Sequence, residues 1–170
     1  IAVVNGSVRN WGDKGVDLVS PNVTNCRIEG LLVSGNASTG IAAGTGSTVS
    51  NCAVRFSGSG ISVSEGSSVM GCSVRSSNGI GIFASSNCTV SSCVVNDSSS
   101  NGILTSFGCT VSDCSVRSNT GNGISVGDGC FIRCCTVVSS TLAGIFTTAN
   151  CSITGCNVTG SQSSGILAGP

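Results

Sequence analysis

The residues able to do chemistry in this 170-residue chain are few in kind. Seven carboxylates stand at Asp13, Asp17, Glu29, Glu65, Asp97, Asp113 and Asp128. Seven basic residues balance them, so the formal net charge is zero. Twelve cysteines supply thiols. Histidine and tyrosine are absent, which removes the commonest general base and the commonest zinc ligand. Hydrolysis of a glycosidic bond would need two carboxyls about 5–10 Å apart. Whether any of these groups meet depends on the elements that carry them.

Those elements are copies of one unit. Gly81-Ile82 is followed by Cys88, Val90, Cys93 and Val95; the same pattern returns at Gly102, Gly123 and Gly144, and the chain ends inside the next copy at Gly165-Ile166. The period is 21 residues from Gly60 onward. Before that, Gly15 to Gly40 spans 25 residues and Gly40 to Gly60 spans 20, and the excess is expected as a loop around residues 29–39. Within each copy the apolar residues fall in three short alternating pairs, the period of strands. Ser, Gly and Asn, the turn formers, separate them. Three very short strands per copy cannot make hairpins; they make a coil with three faces, stacked about 4.8 Å apart on the next. Residues 1–170 are therefore read as one all-β solenoid domain of about eight coils. The Gly before each Ile is expected at a corner, for positive φ or close backbone approach.

Placed on that repeat, the carboxylates scatter. Glu65 and Asp128 share a slot but lie three coils apart, about 14 Å at the strand spacing. Asp97 and Asp113 sit on different corners, and Asp13 and Asp17 flank one strand without a third partner. The cysteines form two rows in phase with the core valines. One is Cys52, Cys72, Cys93, Cys114, Cys135 and Cys156, with Cys26 expected at its head; the other is Cys88, Cys109, Cys130 and Cys151. Both are expected inside as free, buried thiols acting as small hydrophobes. Stacked Cα atoms at this spacing fall within disulfide range, but parallel Cβ vectors do not favour the bond. Cys134 is out of phase and is expected in solvent. No metal or other cofactor is expected. On the outside, Arg9, Arg55, Arg75 and Arg117 share a slot, read as solvated surface or a site for an acidic glycan. Thr48, Ser68, Thr89, Thr110 and Ser152 form a mixed hydroxyl row. Ala42, Phe83, Leu104, Phe146 and Leu167 form an apolar one, a candidate lateral interface. Asn5, Asn22, Asn36, Asn87, Asn96, Asn150 and Asn157 open Asn-x-Ser/Thr sequons.

The run Asn5-Gly6-Ser7-Val8-Arg9-Asn10-Trp11-Gly12-Asp13-Lys14-Gly15-Val16-Asp17-Leu18, followed by Asn25-Cys26-Arg27-Ile28, resembles the opening of exported right-handed parallel β-helix repeat proteins of the pectate-lyase-like superfamily. The recurring Cys-x-Val followed by Gly-Ile resembles their repeats. The resemblance covers essentially the whole chain and implies a right-handed parallel β-helix; left-handed solenoids typically repeat at 18. It implies no activity, because one fold hosts many functions, and the clustered aspartates of the family's lyases and hydrolases find no counterpart.

Only 8% of residues are charged, which argues against nucleic acid as a partner. No apolar run is long enough to span a membrane. The chain begins with Ile1 and shows no signal peptide, and is expected to be a processed product or a piece of a longer exported chain. The leading expectation is a non-enzymatic, extracellular or cell-surface subunit that associates end to end into a fibre. The alternative is a carbohydrate-binding or polysaccharide-degrading β-helix belonging to a larger cell-surface protein.

Overall fold

The computed structural model describes residues 1–169. They form a parallel β-solenoid of about eight turns with no helix. β1 (Ala2–Arg9), β2 (Val16–Leu18), β3 (Arg27–Ser34), β4 (Thr39–Ala43), β5 (Thr48–Ser50) and β6 (Ala53–Arg55) build the first turns. From there three short strands recur in every full turn, as in Ile82–Ala84, Thr89–Ser91 and Val94–Asn96. β2 and β4 begin an eight-stranded sheet that takes one strand per turn. The other sheet has 14 strands and takes two per turn, joined because β3 runs unbroken through both positions.

Register is set by what each slot must bury. Ile41, Ile61, Ile82, Ile103, Ile124 and Ile145 stack on one another and are fully enclosed. Val49, Val69, Val90 and Val111 do the same in the other sheet. A one-residue slip would turn every such row to solvent. Each enclosed Ile or Val contributes roughly 1.5–3 kcal/mol of apolar transfer, so the pattern dictates the pairing.

The corners are built from single left-handed residues. After the first strand of the large sheet they are Asn5, Gly30, Asn51, Gly71, Ser92, Asp113, Cys134 and Gly155, with φ between 53° and 65°. Two equivalent rows close the other corners, among them Asn10, Gly35 and Phe56, and Asn25, Gly46 and Gly66. Asn and Asp accept this conformation better than other side chains. Asn5 lies over Gly30 of the next turn so closely that a Cβ there would meet its Oδ1 at 2.4 Å. The Gly before each Ile is not part of these rows. Its role is close approach: a Cβ on Gly81 would sit 2.3 Å from Val95 Cγ1 and 2.6 Å from the Gly102 carbonyl oxygen.

Two expectations about placement are corrected. Residues 29–34 are strand, because β3 pairs Arg27 with Thr48 and Leu32 with Ala53 without a break, and only the short corner 35–38 separates β3 from β4. The four extra residues lie between Leu18 and Asn25, where Val19–Thr24 bulge outward against Gly44. Pro21 and Asn22 at that bulge are the turn signal that marks it. Cys26 does not head the row of Cys52. Its carbonyl accepts from Thr48 N–H and its own N–H donates to Ser47 Oγ, which places it in line with Ser47, Ser67 and Cys88. Leu31 fills the slot before Cys52.

Candidate functional site

The large sheet turns one charged row outward. Arg9, Ser34, Arg55, Arg75, Asn96, Arg117, Val138 and Thr159 are successive partners in its register. From Arg9 to Arg117 is five steps, about 24 Å at the strand spacing. All four arginines are exposed. None forms an ion pair among the described residues, where the pairs are Lys14–Asp17 and Arg27–Glu29. Arg9 donates to Ser7 Oγ at 2.8 Å, which fixes its guanidinium along the surface. Between Arg75 and Arg117 stands Asn96, whose Oδ1 is buried without a hydrogen-bond partner among the described residues. Asp97 follows it at the corner, exposed.

Beside this row is a hollow of about 420 Å³ lined by Arg9, Leu32, Ser34, Ala53, Arg55 and Phe56. Phe56 is the residue that sequence reading missed. It has a φ of 51° in a corner row otherwise built of Asn, Gly, Ser and Asp, and it is 66% exposed. A bulky side chain in the left-handed region is a genuine outlier that costs about 1–2 kcal/mol. An aromatic face held in solvent at that cost, next to two guanidiniums, is suited to a ligand. The signal was available: Phe56 sits directly after the Arg slot, where every other turn carries a small or polar residue.

The carboxylates remain scattered. Asp17 is engaged by Lys14 at 2.9 Å and by Val19 N–H, and the hydrogen bond from Lys14 holds its carboxyl below the usual range. Glu29 pairs with Arg27. Glu65 accepts from Asn87 Nδ2 at 3.2 Å, and Asp128 accepts from Ala149 N–H at 3.3 Å. No group of three or more Cys, Asp or Glu side chains among the described residues is arranged to hold a metal ion.

Residues 14–169 match the family of the right-handed β-helix region. The chain belongs to that family. No curated protein matches it by sequence. Among solved structures, this β-helix is similar to the periplasmic alginate epimerase AlgG (TM-score 0.75, 12% identity, 99% of this chain and 50% of that one). It is likewise similar to the A-module of the mannuronan C-5 epimerase AlgE4 of Azotobacter vinelandii (TM-score 0.75, 14% identity, 98% and 57%). A third is the catalytic domain of an α-1,3-glucanase in complex with tetrasaccharides (TM-score 0.57, 10% identity, 99% and 48%). The chain spans about half the length of these structures. At such identities the likeness carries the fold. The expectation of a non-enzymatic chain is corrected on this finding: the solved structures that share its fold are enzymes, polysaccharide epimerases and a glucanase.

Inside the β-helix the thiols stack. Val94, Ser115, Thr136 and Asn157 donate their N–H to the carbonyls of Cys72, Cys93, Cys114 and Cys135, which sets each cysteine over the next. All twelve are free; Cys134 is exposed, and Cys151 and Cys156 are half-buried. Each inward thiol lies against the carbonyl two residues earlier, as Cys93 Sγ does to Ser91 O at 3.2 Å. Neighbouring thiols split each other's acidity. Hydrogen bonding from Cys114, and then from Cys72, holds Cys93 below the ordinary thiol value. Hydrogen bonding from Cys114 holds Cys135 at about 7, and that from Cys109 does the same for Cys88. Cys52, Cys109 and Cys114 are pushed up by the thiol next to them and by burial.

The remaining rows of this β-helix are more enclosed than expected. Ala42 is buried, Phe83, Leu104 and Phe146 are half-buried, and Leu167 is exposed. Ser125, between Leu104 and Phe146 in the register, is buried by them. Of the sequons, Asn5, Asn22, Asn87, Asn150 and Asn157 are exposed. Asn96 is half-buried and Asn36 is 2% exposed, its Oδ1 accepting from Trp11 N–H; Asn36 is not a glycosylation site in this fold.

Proposed function

We propose that this β-helix holds an acidic polysaccharide along the Arg9–Arg55–Arg75–Arg117 row, as part of a carbohydrate-active protein of the periplasm or cell exterior. The observation that carries the reading is that row: exposed guanidiniums without carboxylate partners, on a straight line, with Phe56 strained outward beside them. Arginine forks match carboxylates in two-point hydrogen bonds. An apolar ring face packs on the C–H face of a sugar, and Leu32 and Ala53 extend that surface. Regular steps of about 4.8 Å suit a regular polymer lying along the axis. The likeness to epimerases and a glucanase supports a glycan as the ligand. Asp97, next to Asn96, is the carboxylate that a bound uronate chain would meet, and the candidate for moving a proton on it.

Isothermal titration with polymannuronate, polygalacturonate and a neutral glucan tests the reading. The acidic polymers bind and weaken with added salt; the neutral one does not bind. Arg55→Gln with Arg75→Gln weakens binding by at least tenfold, since one charge-assisted bond is worth about 1.5–3 kcal/mol and 1.4 kcal/mol is tenfold. Equal binding of the neutral glucan, or binding untouched by the double variant, would overturn it. Turnover is followed by NMR of the sugar protons, with Asp97→Asn as the variant expected to abolish it.

A further inference from the structure

The two thiol rows are a feature that glycan binding leaves unused. Six thiols run from Cys52 through Cys72, Cys93, Cys114 and Cys135 to Cys156, and four from Cys88 through Cys109 and Cys130 to Cys151. The backbone hydrogen bonds that set cysteine over cysteine fix the vertical step at the strand spacing, about 4.8 Å. The sulfurs repeat with the same step: Cys72, Cys93, Cys114 and Cys135 each contact the carbonyl of the valine one turn back, at 3.6, 3.7, 3.8 and 3.7 Å. In the shorter row Cys88 N–H points at Cys109 Sγ (3.4 Å) and Cys109 N–H at Cys130 Sγ (3.2 Å), donors that favour a thiolate.

That spacing has a chemical counterpart. Thiolate sulfur bonds zinc at about 2.3 Å, and at a similar bond length a cation held by two collinear sulfurs needs them about 4.6 Å apart. The stacking step supplies this with no closed tetrahedral set and no backbone movement. Soft thiolate surroundings without nitrogen or oxygen ligands select Cu(I)-like ions over Mg, Ca or Mn. Charge decides the valence. A monovalent cation that replaces one proton of a thiol pair leaves a neutral unit, thiolate–metal–thiol, and an apolar core tolerates neutral groups but not isolated charge.

We propose that the stacked cysteines form an internal file of two-coordinate sites for a soft monovalent cation, Cu(I) or Ag(I), each site taking two successive thiols and each thiol serving one site. The step is a proton exchange without oxidation: the cation bonds both sulfurs, one S–H bond breaks, and that proton leaves to solvent. A sulfur shared by two cations would need a bent angle that a straight row does not provide, so pairs alternate. The longer row holds three cations and the shorter two. Cys26 is cut off from the shorter row by Ser47 and Ser67, and Cys134 faces solvent; neither contributes.

The test is an anaerobic, chloride-free titration of the reduced Cys134→Ser chain, which lacks the exposed thiol that would take up silver by itself, with Ag(I), read by native mass spectrometry, proton release and X-ray absorption at the silver edge. The expected result is a plateau of five cations, one proton released per cation, two sulfurs per silver, and an unchanged β signal in circular dichroism. Cys109→Ser lowers the plateau to four. That variant keeps the fold because Ser47 and Ser67 already fill the same slot in earlier turns, Ser67 Oγ accepting from Ser47 N–H at 3.0 Å. Restoring the exposed Cys134 adds one cation at most, held by a single protein sulfur. A plateau below five in the chain that lacks Cys134, or silver with three or more sulfurs and a lost β signal, would overturn the proposal. Both readouts are independent of any glycan.

Discussion

Val90 and Thr89 are neighbours in one strand, yet their rows follow different rules. Along the inward row the residues are Val49, Val69, Val90, Val111 and Ile132; along the outward one they are Thr48, Ser68, Thr89, Thr110 and Phe131. Both have the same step and the same backbone pairing. The inner row must fill a fixed cross-section at the density of a solid, so its volume hardly varies. The outer row faces water and has no volume to match. The same contrast holds one strand on, where enclosed Val54, Val74, Val95 and Val116 lie behind Arg55, Arg75, Asn96 and Arg117. In this β-helix the inner valine and isoleucine rows carry the fold, and the outer rows are free to vary.

The sharpest way to break that contrast is on the inside. Ile103→Ala removes a fully enclosed side chain held between Ile82 and Ile124, and its neighbours are anchored by their own turns and cannot close the gap. A loss of about 2–5 kcal/mol is expected, read as a lowered midpoint in urea. Gly81→Ala comes next. The added methyl would meet Val95 Cγ1, the Gly102 carbonyl and, at 2.8 Å, Ser98 Oγ, and the carbonyl cannot rotate away without losing its bond from Ile82 N–H. Overpacking of this kind costs about 1–3 kcal/mol. Thr89→Ala, on the outside of the same turn, is expected to change stability by no more than about 0.5 kcal/mol.

The contrast also explains what was legible in the sequence. The 21-residue period, the Ile and Val rows and the inward thiols could be read because burial imposes the same residue type turn after turn. Cys26 went to the wrong row because a 25-residue turn lay upstream, and counting from Gly15 does not reveal where the excess sits. The backbone places it before Asn25, not after Gly30. The corner rows were illegible for a different reason. Positive φ is met by Asn, Gly, Ser, Asp, Cys134 and even Phe56, so no single residue type marks it. The Arg row was visible as a slot, and Phe56 stood out beside it as the one bulky residue in its position, but the strain that gives it meaning lies in a backbone conformation the sequence does not state. The row proposed to hold a glycan is an outer row, and no packing forces an outer row to repeat.

Phe56→Gly sharpens the comparison, because its two effects have opposite signs. Glycine accepts a φ of 51° without strain, so a gain of up to about 1 kcal/mol is expected, reduced by glycine's greater freedom in the unfolded chain. Affinity for an acidic polymer falls at the same time. A variant that is both less stable and unchanged in binding would remove Phe56 from the site.

The smallest effect belongs to the exposed Lys14–Asp17 pair, at the head of the other outward row. The hydrogen bond from Lys14 lowers the Asp17 carboxyl in the folded chain, so its contribution is complete above the ordinary carboxylate value and is lost as pH falls through the lower, folded one. Lys14 is raised by the same bond; its contribution is complete below the ordinary ammonium value and is lost as pH climbs through the folded one. Lys14→Met should therefore lower the melting temperature slightly across the neutral range, by less than Phe56→Gly raises it, and not at all in strong acid. Salt should shrink the difference, because exposed pairs are screened. A gap between the two proteins that persisted at low pH would mean that Lys14 acts through packing of its aliphatic stem, and that this outward row, like the inner ones, is held by contact rather than by charge.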